Sequence, residues 1–147
     1  MTRQLGPLLV ILQFAGIGLC CYAAAKSLPP AQPVFMLIAA AGILLGLYTL
    51  AFNKLGNFNI APNLKTNAQL ITTGPYQLIR HPMYLSVILF LLGVSLLAGQ
   101  LLAWAGFIIS TGAMIQKSLI EEKLLLERFP EYGQYRTKTK RILPFIF

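Results

Sequence analysis

Two short stretches hold most of the residues equipped for chemistry, "RHPMY" (80–84) and "KSLIEEKLLLERF" (117–129). The first groups a guanidinium (Arg80), the chain's single imidazole (His81) and a phenol (Tyr84) around Pro82 and Met83. Proline fits the first turn of a helix, where its missing N–H would have had no partner anyway. His81 then sits at or beside the N-cap, and Tyr84 lies on the same face one turn deeper. Free N–H groups at a helix start, beside a cation, favour an anion such as a carboxylate. The second stretch supplies the carboxylate pair Glu121–Glu122 and, one turn earlier, Lys117. A pocket between the two would suit a ligand that is anionic at one end and cationic at the other. Metal chemistry finds no support in the spacing: the lone histidine and the adjacent Cys20 and Cys21 form no ligand set. Neighbouring Cα atoms lie about 3.8 Å apart, too close for an ordinary disulfide.

Apolar helices must position these groups. Hydrophobic residues make up 56% of the 147-residue chain and charged ones 11%, well under the roughly 25% of a soluble domain. Four apolar segments follow: 5–25, 33–52, 82–98 and 101–116. The first two are long enough to cross about 30 Å of hydrocarbon. The last two are separated by "GQ" alone, which predicts a tight antiparallel helical hairpin. Helix four should continue past the membrane through "KSLIEEKLLLERF" and stop at Pro130. The fold class expected is therefore an all-α integral membrane protein with about four transmembrane helices, a cytoplasmic connector and a C-terminal helical extension. One domain spans 1–147, with two anchoring helices in 1–52 and the chemistry in 53–147. The first apolar run exceeds the 7–15 residues of a signal-peptide core, so a retained helix is expected there.

The basic residues set an orientation. Four spans put both termini on one side, and eleven of the twelve Lys and Arg then fall on that side, leaving only Lys26 opposite. By the positive-inside rule the termini, the 53–81 loop and the tail are cytoplasmic. The loop is long for a compact bundle, and Phe58, Ile60, Leu64, Leu70 and Ile71 suggest packing against it. A formal net charge of +8 fits anionic lipid better than nucleic acid, because the cations flank apolar spans.

Each element also has a plainer explanation. Arg80 and His81 could anchor to lipid phosphates, and Tyr76 and Tyr84 could belong to an interfacial aromatic belt. Lys117–Glu121 and Lys123–Glu127 are spaced as ordinary helix-surface pairs. The tail "RTKTKR" reads most simply as a lipid-attracted segment.

The order of motifs adds what single residues do not. "LITTGPYQLIRHPMY", then a hairpin, then "EEKLLLERFPEYGQYRTKTKRILPF" resembles the isoprenylcysteine carboxyl methyltransferase family, whose wider group includes the phospholipid methyltransferases. The resemblance covers about residues 53–147. It rests on GPY, RHPxY, EExxL and FxxYxxY in that order, while the first two helices match only as hydrophobic spans. It implies an integral membrane enzyme taking S-adenosylmethionine from the cytoplasmic side and a lipid-like acceptor from the bilayer, with no metal and no nucleic acid. The cofactor contacts implied are Gln69, Leu70, Ile71, Tyr76, His81, Pro82, Met83, Tyr84, Glu121 and Glu122. Arg80 and Lys117 are the catalytic candidates, Lys117 standing where eukaryotic members carry an arginine that approaches the acceptor. Arginine and lysine are not equivalent at a bidentate site. Pro130 stands where the family more often has glycine.

Methyl transfer from a sulfonium is an in-line displacement in which positioning and exclusion of water do the work. A carboxylate acceptor needs no general base, whereas an ammonium acceptor must first lose a proton. Carboxylate O-methylation is the expectation, since "TTGPY" lacks the Gly-x-Gly that phospholipid methyltransferases tend to place beside the cofactor. The alternatives are N-methylation of an aminolipid, S-methylation of a small thiol, a non-catalytic lipid-binding scaffold and a membrane reductase.

Overall fold

The computed structural model describes residues 2–27, 32–53, 61–63 and 68–146. The expected contributions of Lys54, Phe58, Ile60, Leu64 and Lys65 lie outside these residues. The described chain is helical, with α1 (Thr2–Ser27), α2 (Pro33–Phe52), a 3-10 turn (Gly74–Gln77), α3 (Pro82–Ala98), α4 (Leu101–Arg128) and α5 (Tyr132–Lys138). Leu5–Ser27 and Pro33–Phe52 are long and apolar enough to cross a membrane, and Pro82–Ala98 is a shorter apolar helix. Local chemistry accounts for the boundaries. Pro33 and Pro82 open α2 and α3 in first-turn positions, where no backbone bond is lost. Gly99 closes α3 at φ 63°, a left-handed cap that glycine adopts without strain. Gln100 immediately caps α4, so the turn has the two residues its sequence implies.

The hairpin helices are not each other's main partners. α1 packs chiefly on α4, and α2 on α3. The reason is small residues at the seams, which let backbones approach in a setting where apolar burial does not separate inside from outside. In α1, Gln13, Gly16, Cys20 and Ala23 are buried, and they meet Ala103, Gly106, Ser110 and Ala113 of α4 across a narrow seam. A Cβ placed on Gly106 would lie 2.5 Å from the Gly16 carbonyl oxygen and 2.7 Å from the Cys20 nitrogen. The α2–α3 seam uses Gly42 and Gly93 in the same way, each against backbone of the other helix. Cys20 is a small buried contact, with its Sγ 3.3 Å from Ser95 Oγ of α3.

Large apolar side chains point outward instead. Leu8, Ile11, Phe14, Leu37, Leu44, Leu47 and Ile108 are all exposed, a continuous apolar exterior of the kind that lipid covers. At the other end, residues 139–142 return to the start of α3. The Arg80 N–H donates to the Lys140 carbonyl at 2.8 Å, and the His81 N–H to the Arg141 carbonyl at 2.9 Å. Ile142 packs with Ile79 and Leu85 below this bridge. The tail is thus fastened to the helix start through its backbone and Ile142, while Lys138 and Lys140 remain exposed. This corrects the plainer reading of the tail as a lipid-attracted segment. Thr139 and Ile142 are buried and Arg141 turns in to Glu122, while Lys138 and Lys140 turn out.

Candidate active site

Glu122 is the centre of the polar cluster. It is 3% exposed and receives Arg80 Nε at 2.8 Å together with a two-pronged contact from Arg141, Nε at 3.0 Å and the second guanidinium nitrogen at 3.1 Å. His81 Nε2 lies 3.4 Å away and the more exposed Arg136 3.9 Å away. Arg80 also donates to the carbonyl of Thr139, which ties it to the returning tail. Burial alone would raise the Glu122 carboxyl. The hydrogen bonds from His81, Arg141 and Arg80 outweigh that and hold it well below the usual carboxylate range.

Its neighbour Glu121 behaves oppositely. Tyr84 donates to it at 2.6 Å, and His81 Nδ1 lies 3.5 Å off. Burial pushes the Glu121 carboxyl up, and the nearby His81, Tyr84 and Lys117 only partly counter it. Adjacent carboxylates on one helix turn are thereby separated in acidity, an arrangement characteristic of functional sites. The His81 and Tyr84 rings are stacked 5.4 Å apart with 7° between planes, so the N-cap residue and the phenol one turn deeper form one face, as the spacing predicts. Lys117 is not on the surface: it is 2% exposed and donates to Gln13 Oε1 at 2.7 Å. The surface-pair expectation for Lys117 is therefore corrected, because the α1–α4 seam closes over it.

Arg80 joins this cluster to a cavity of about 100 Å³ lined by Asn53, Gln69, Leu70, Ile71, Tyr76, Arg80, Leu125, Tyr132 and Tyr135. Four of the expected cofactor contacts, Gln69, Leu70, Ile71 and Tyr76, thus share one wall. His81, Tyr84, Glu121 and Glu122 are in direct contact beside it. Pro82 and Met83 do not line the cavity. Pro82 starts the helix, and Met83 offers its carbonyl to Ser86 Oγ at 2.7 Å. Burial, with the Glu121 charge nearby, pushes the Tyr76 hydroxyl up to about 12, so it stays a donor at neutral pH.

Some contributors were not singled out by the sequence. Tyr132 and Tyr135 belong to the FxxYxxY motif that carried the resemblance, yet neither was assigned to the site. Arg141 and Thr139 sat inside a tail read as lipid-facing. Gln13 was a detectable signal, a lone amide amid apolar residues, which in a membrane helix marks a partner. Asn53 and Leu125 had no such signal. Tyr135 donates to the Tyr76 carbonyl at 2.6 Å, linking α5 to the 3-10 turn. Tyr135→Phe removes one partly buried bond, so it should cost about 0.5–1.5 kcal/mol. Thermal unfolding in detergent checks the figure, and a shift as large as that of a buried ion pair would contradict it.

The chemistry of the donor set fits a zwitterionic ligand with an aromatic group. Cations and carboxylates adjoin a cavity walled by tyrosines and aliphatic side chains. Among the described residues, the buried Tyr132 hydroxyl has no hydrogen-bond partner, and such a group is costly to leave unpaired. Among those residues no group of three or more His, Cys, Asp or Glu is placed to hold a metal ion.

Comparison with known proteins places the chain. It is 31% identical over 81 residues to the cobalt-zinc-cadmium resistance protein CzcN of Cupriavidus metallidurans, covering 54% of this chain and 38% of that protein. It is 28% identical over 82 residues to the nickel-cobalt-cadmium resistance protein NccN of Alcaligenes xylosoxydans xylosoxydans, with the same two coverages. The matched part therefore spans well under half the length of these curated relatives. Residues 34–132 match the phospholipid methyltransferase family, from the start of α2 to the start of α5. With that match covering the RHPMY helix start, the carboxylate pair and most of the cavity wall, the chain belongs to the phospholipid methyltransferase family.

Proposed function

We propose that the protein transfers a methyl group from S-adenosylmethionine to a lipid-like, membrane-partitioned acceptor, most simply a carboxylate, as in isoprenylcysteine-type O-methylation. The observation that carries this reading is the contact of His81, Tyr84, Arg80 and both carboxylates beside a tyrosine-walled cavity, in a chain of this family. The cofactor supplies the methyl group on a sulfonium. Arg80 and His81 are suited to its carboxylate, Glu121 to its ammonium or sulfonium, and Tyr76, Tyr132 and Tyr135 to its adenosine. Each of these groups is held by its own neighbours before any ligand arrives, which is what positional catalysis needs. In this reading four helices span the bilayer, both termini and the site face the cytoplasm, and the acceptor enters from the lipid. Charges at that depth cost less than at the bilayer centre, where each costs about 2.5 kcal/mol or more.

A second reading is favoured by the family itself, which points to aminolipid N-methylation. An ammonium acceptor must lose a proton, and Glu121, with its raised carboxyl, is the group placed to take it. The relatives' names speak of metal resistance.

The experiment is calorimetric binding of S-adenosylmethionine and S-adenosylhomocysteine to the detergent-solubilised chain, with His81→Ala and Glu121→Gln alongside. Binding at about micromolar Kd is expected for the native protein and should be lost by at least about tenfold in each variant. A well-folded native chain that binds neither ligand overturns the methyltransferase reading.

A further inference from the structure

The tyrosine-walled cavity is smaller than a whole ligand of the cofactor's size. Sites for drug-sized molecules run to roughly 300–1,000 Å³, and this one is about 100 Å³. It suits one flat ring system, with the rest of the ligand running past Arg80 to the carboxylate pair. Among the described residues on its wall, Arg80 carries the single charge. The tyrosine rings and the aliphatic Leu70, Ile71 and Leu125 offer stacking and apolar contact, which any aromatic base accepts. The choice between bases falls to the neutral polar groups.

Asn53 is the group placed to make that choice. It is the C-cap of α2, and its backbone N–H donates to the Thr49 carbonyl at 2.9 Å, which closes the helix end. Phe52, the residue before it, lies against the 3-10 turn. A Cβ on Gly74 would come 2.6 Å from the Phe52 ring, and Gly74 holds a left-handed φ of 61° that glycine adopts without strain. The end of α2 is thereby pinned to the turn that carries Tyr76, and Asn53 reaches the cavity wall half-buried. Gln69, the other amide on the wall, is exposed and can turn to water. A half-buried amide under a ligand has no such escape, and a mismatched ligand leaves it unpaired at a cost.

A carboxamide presents an acceptor and a donor side by side. The 6-amino group and N7 of adenine form the complementary pair. A 6-oxopurine offers two acceptors on the same edge, so one of the two bonds is lost.

We propose that Asn53 is a specificity-determining residue that reads the 6-amino and N7 edge of adenine, so that the site takes adenosyl ligands and refuses 6-oxopurine ones. The inference deepens the methyl-transfer reading and rests on it. The tyrosines then hold the base by its faces, and Asn53 identifies it by its edge.

The test is equilibrium binding of three ligands to the detergent-solubilised full chain: S-adenosylhomocysteine, S-inosylhomocysteine, and the 7-deaza analogue that lacks N7. The native protein should prefer S-adenosylhomocysteine to each of the others by about tenfold. Asn53→Ala should lose about tenfold for S-adenosylhomocysteine and stay within about threefold for the two analogues, so that all three bind alike. A native chain that binds all three equally overturns the proposal and leaves the cofactor reading standing, whereas one that binds none overturns both. A folded Asn53→Ala that keeps the native preference, or that loses affinity equally for all three, also overturns the proposal. If Asn53→Ala does not fold, Asn53→Asp decides. It keeps the acceptor for the amino group and removes the donor to N7, so the 7-deaza penalty should vanish while the 6-oxo penalty remains. An unchanged 7-deaza penalty there overturns the proposal.

Discussion

Glu122→Ala is expected to lower stability by about 3–5 kcal/mol, the cost of removing one partner from a buried charge network. Three cations and an imidazole lie within 4 Å of that carboxylate, and His81 also adjoins Glu121. Arg80 and Arg141 would be left facing each other with like charge. The damage should be local as well as global. The Arg80 and His81 amides, now bonded to the carbonyls of Lys140 and Arg141, should exchange hydrogen faster, and the tail beyond Tyr135 should become open to protease. Thermal unfolding in detergent with hydrogen-exchange mass spectrometry would read both. A loss under 1 kcal/mol, or a tail that stays protected, would show that the backbone bridge and Ile142 hold the end without the ions.

The pH dependence follows from the same residue. The folded Glu122 carboxyl is held below its ordinary value of 4.5, so its contribution is fully present above that value. It is lost as pH falls through the depressed folded value. Acid between neutrality and about pH 5 should therefore leave this network intact.

The second large effect is expected at Gly106. Gly106→Val places carbon against the Gly16 carbonyl oxygen and the Cys20 backbone. Neither is a flexible side chain, so the helices themselves must separate. Overpacking of this kind costs about 1–3 kcal/mol and sometimes more. Separation also pulls Gln13 from Lys117, whose buried ammonium then loses its 2.7 Å hydrogen bond. Gly112, one and a half turns further along α4, is the internal control. Nothing lies within 4 Å of a Cβ there, and Gly112→Ala should be neutral or stabilising by up to about 1 kcal/mol through helix propensity. Comparable melting temperatures for the two variants would refute the close-seam account.

How the chain divides its information is visible in particular residues. The bounds of α2, α3 and α4 were legible because local chemistry fixes them: Pro33, Pro82, Gly99 and Pro130 act on their own turns and need no partner. The RHPMY face and the Glu121–Glu122 pair were legible for the same reason, since helical spacing alone puts His81 with Tyr84. Partner choice between helices was not. Hydropathy is uniform around a membrane helix, so it cannot say that α1 faces α4, and the small residues that decide it act only once two backbones meet. The roles of Arg141, Thr139 and Tyr132 were equally hidden. A basic tail reads as lipid-facing until the parallel bridge at Ile79 and Lys140 brings it to Glu122. The sequence by itself therefore determined the helices, their ends and the chemistry on each local face. Only the tertiary structure decided that Lys117 is buried against Gln13 and that Glu122 gathers its cations from two distant segments. Those contacts join residues 104 and 19 positions apart, and no local periodicity carries information over such a span.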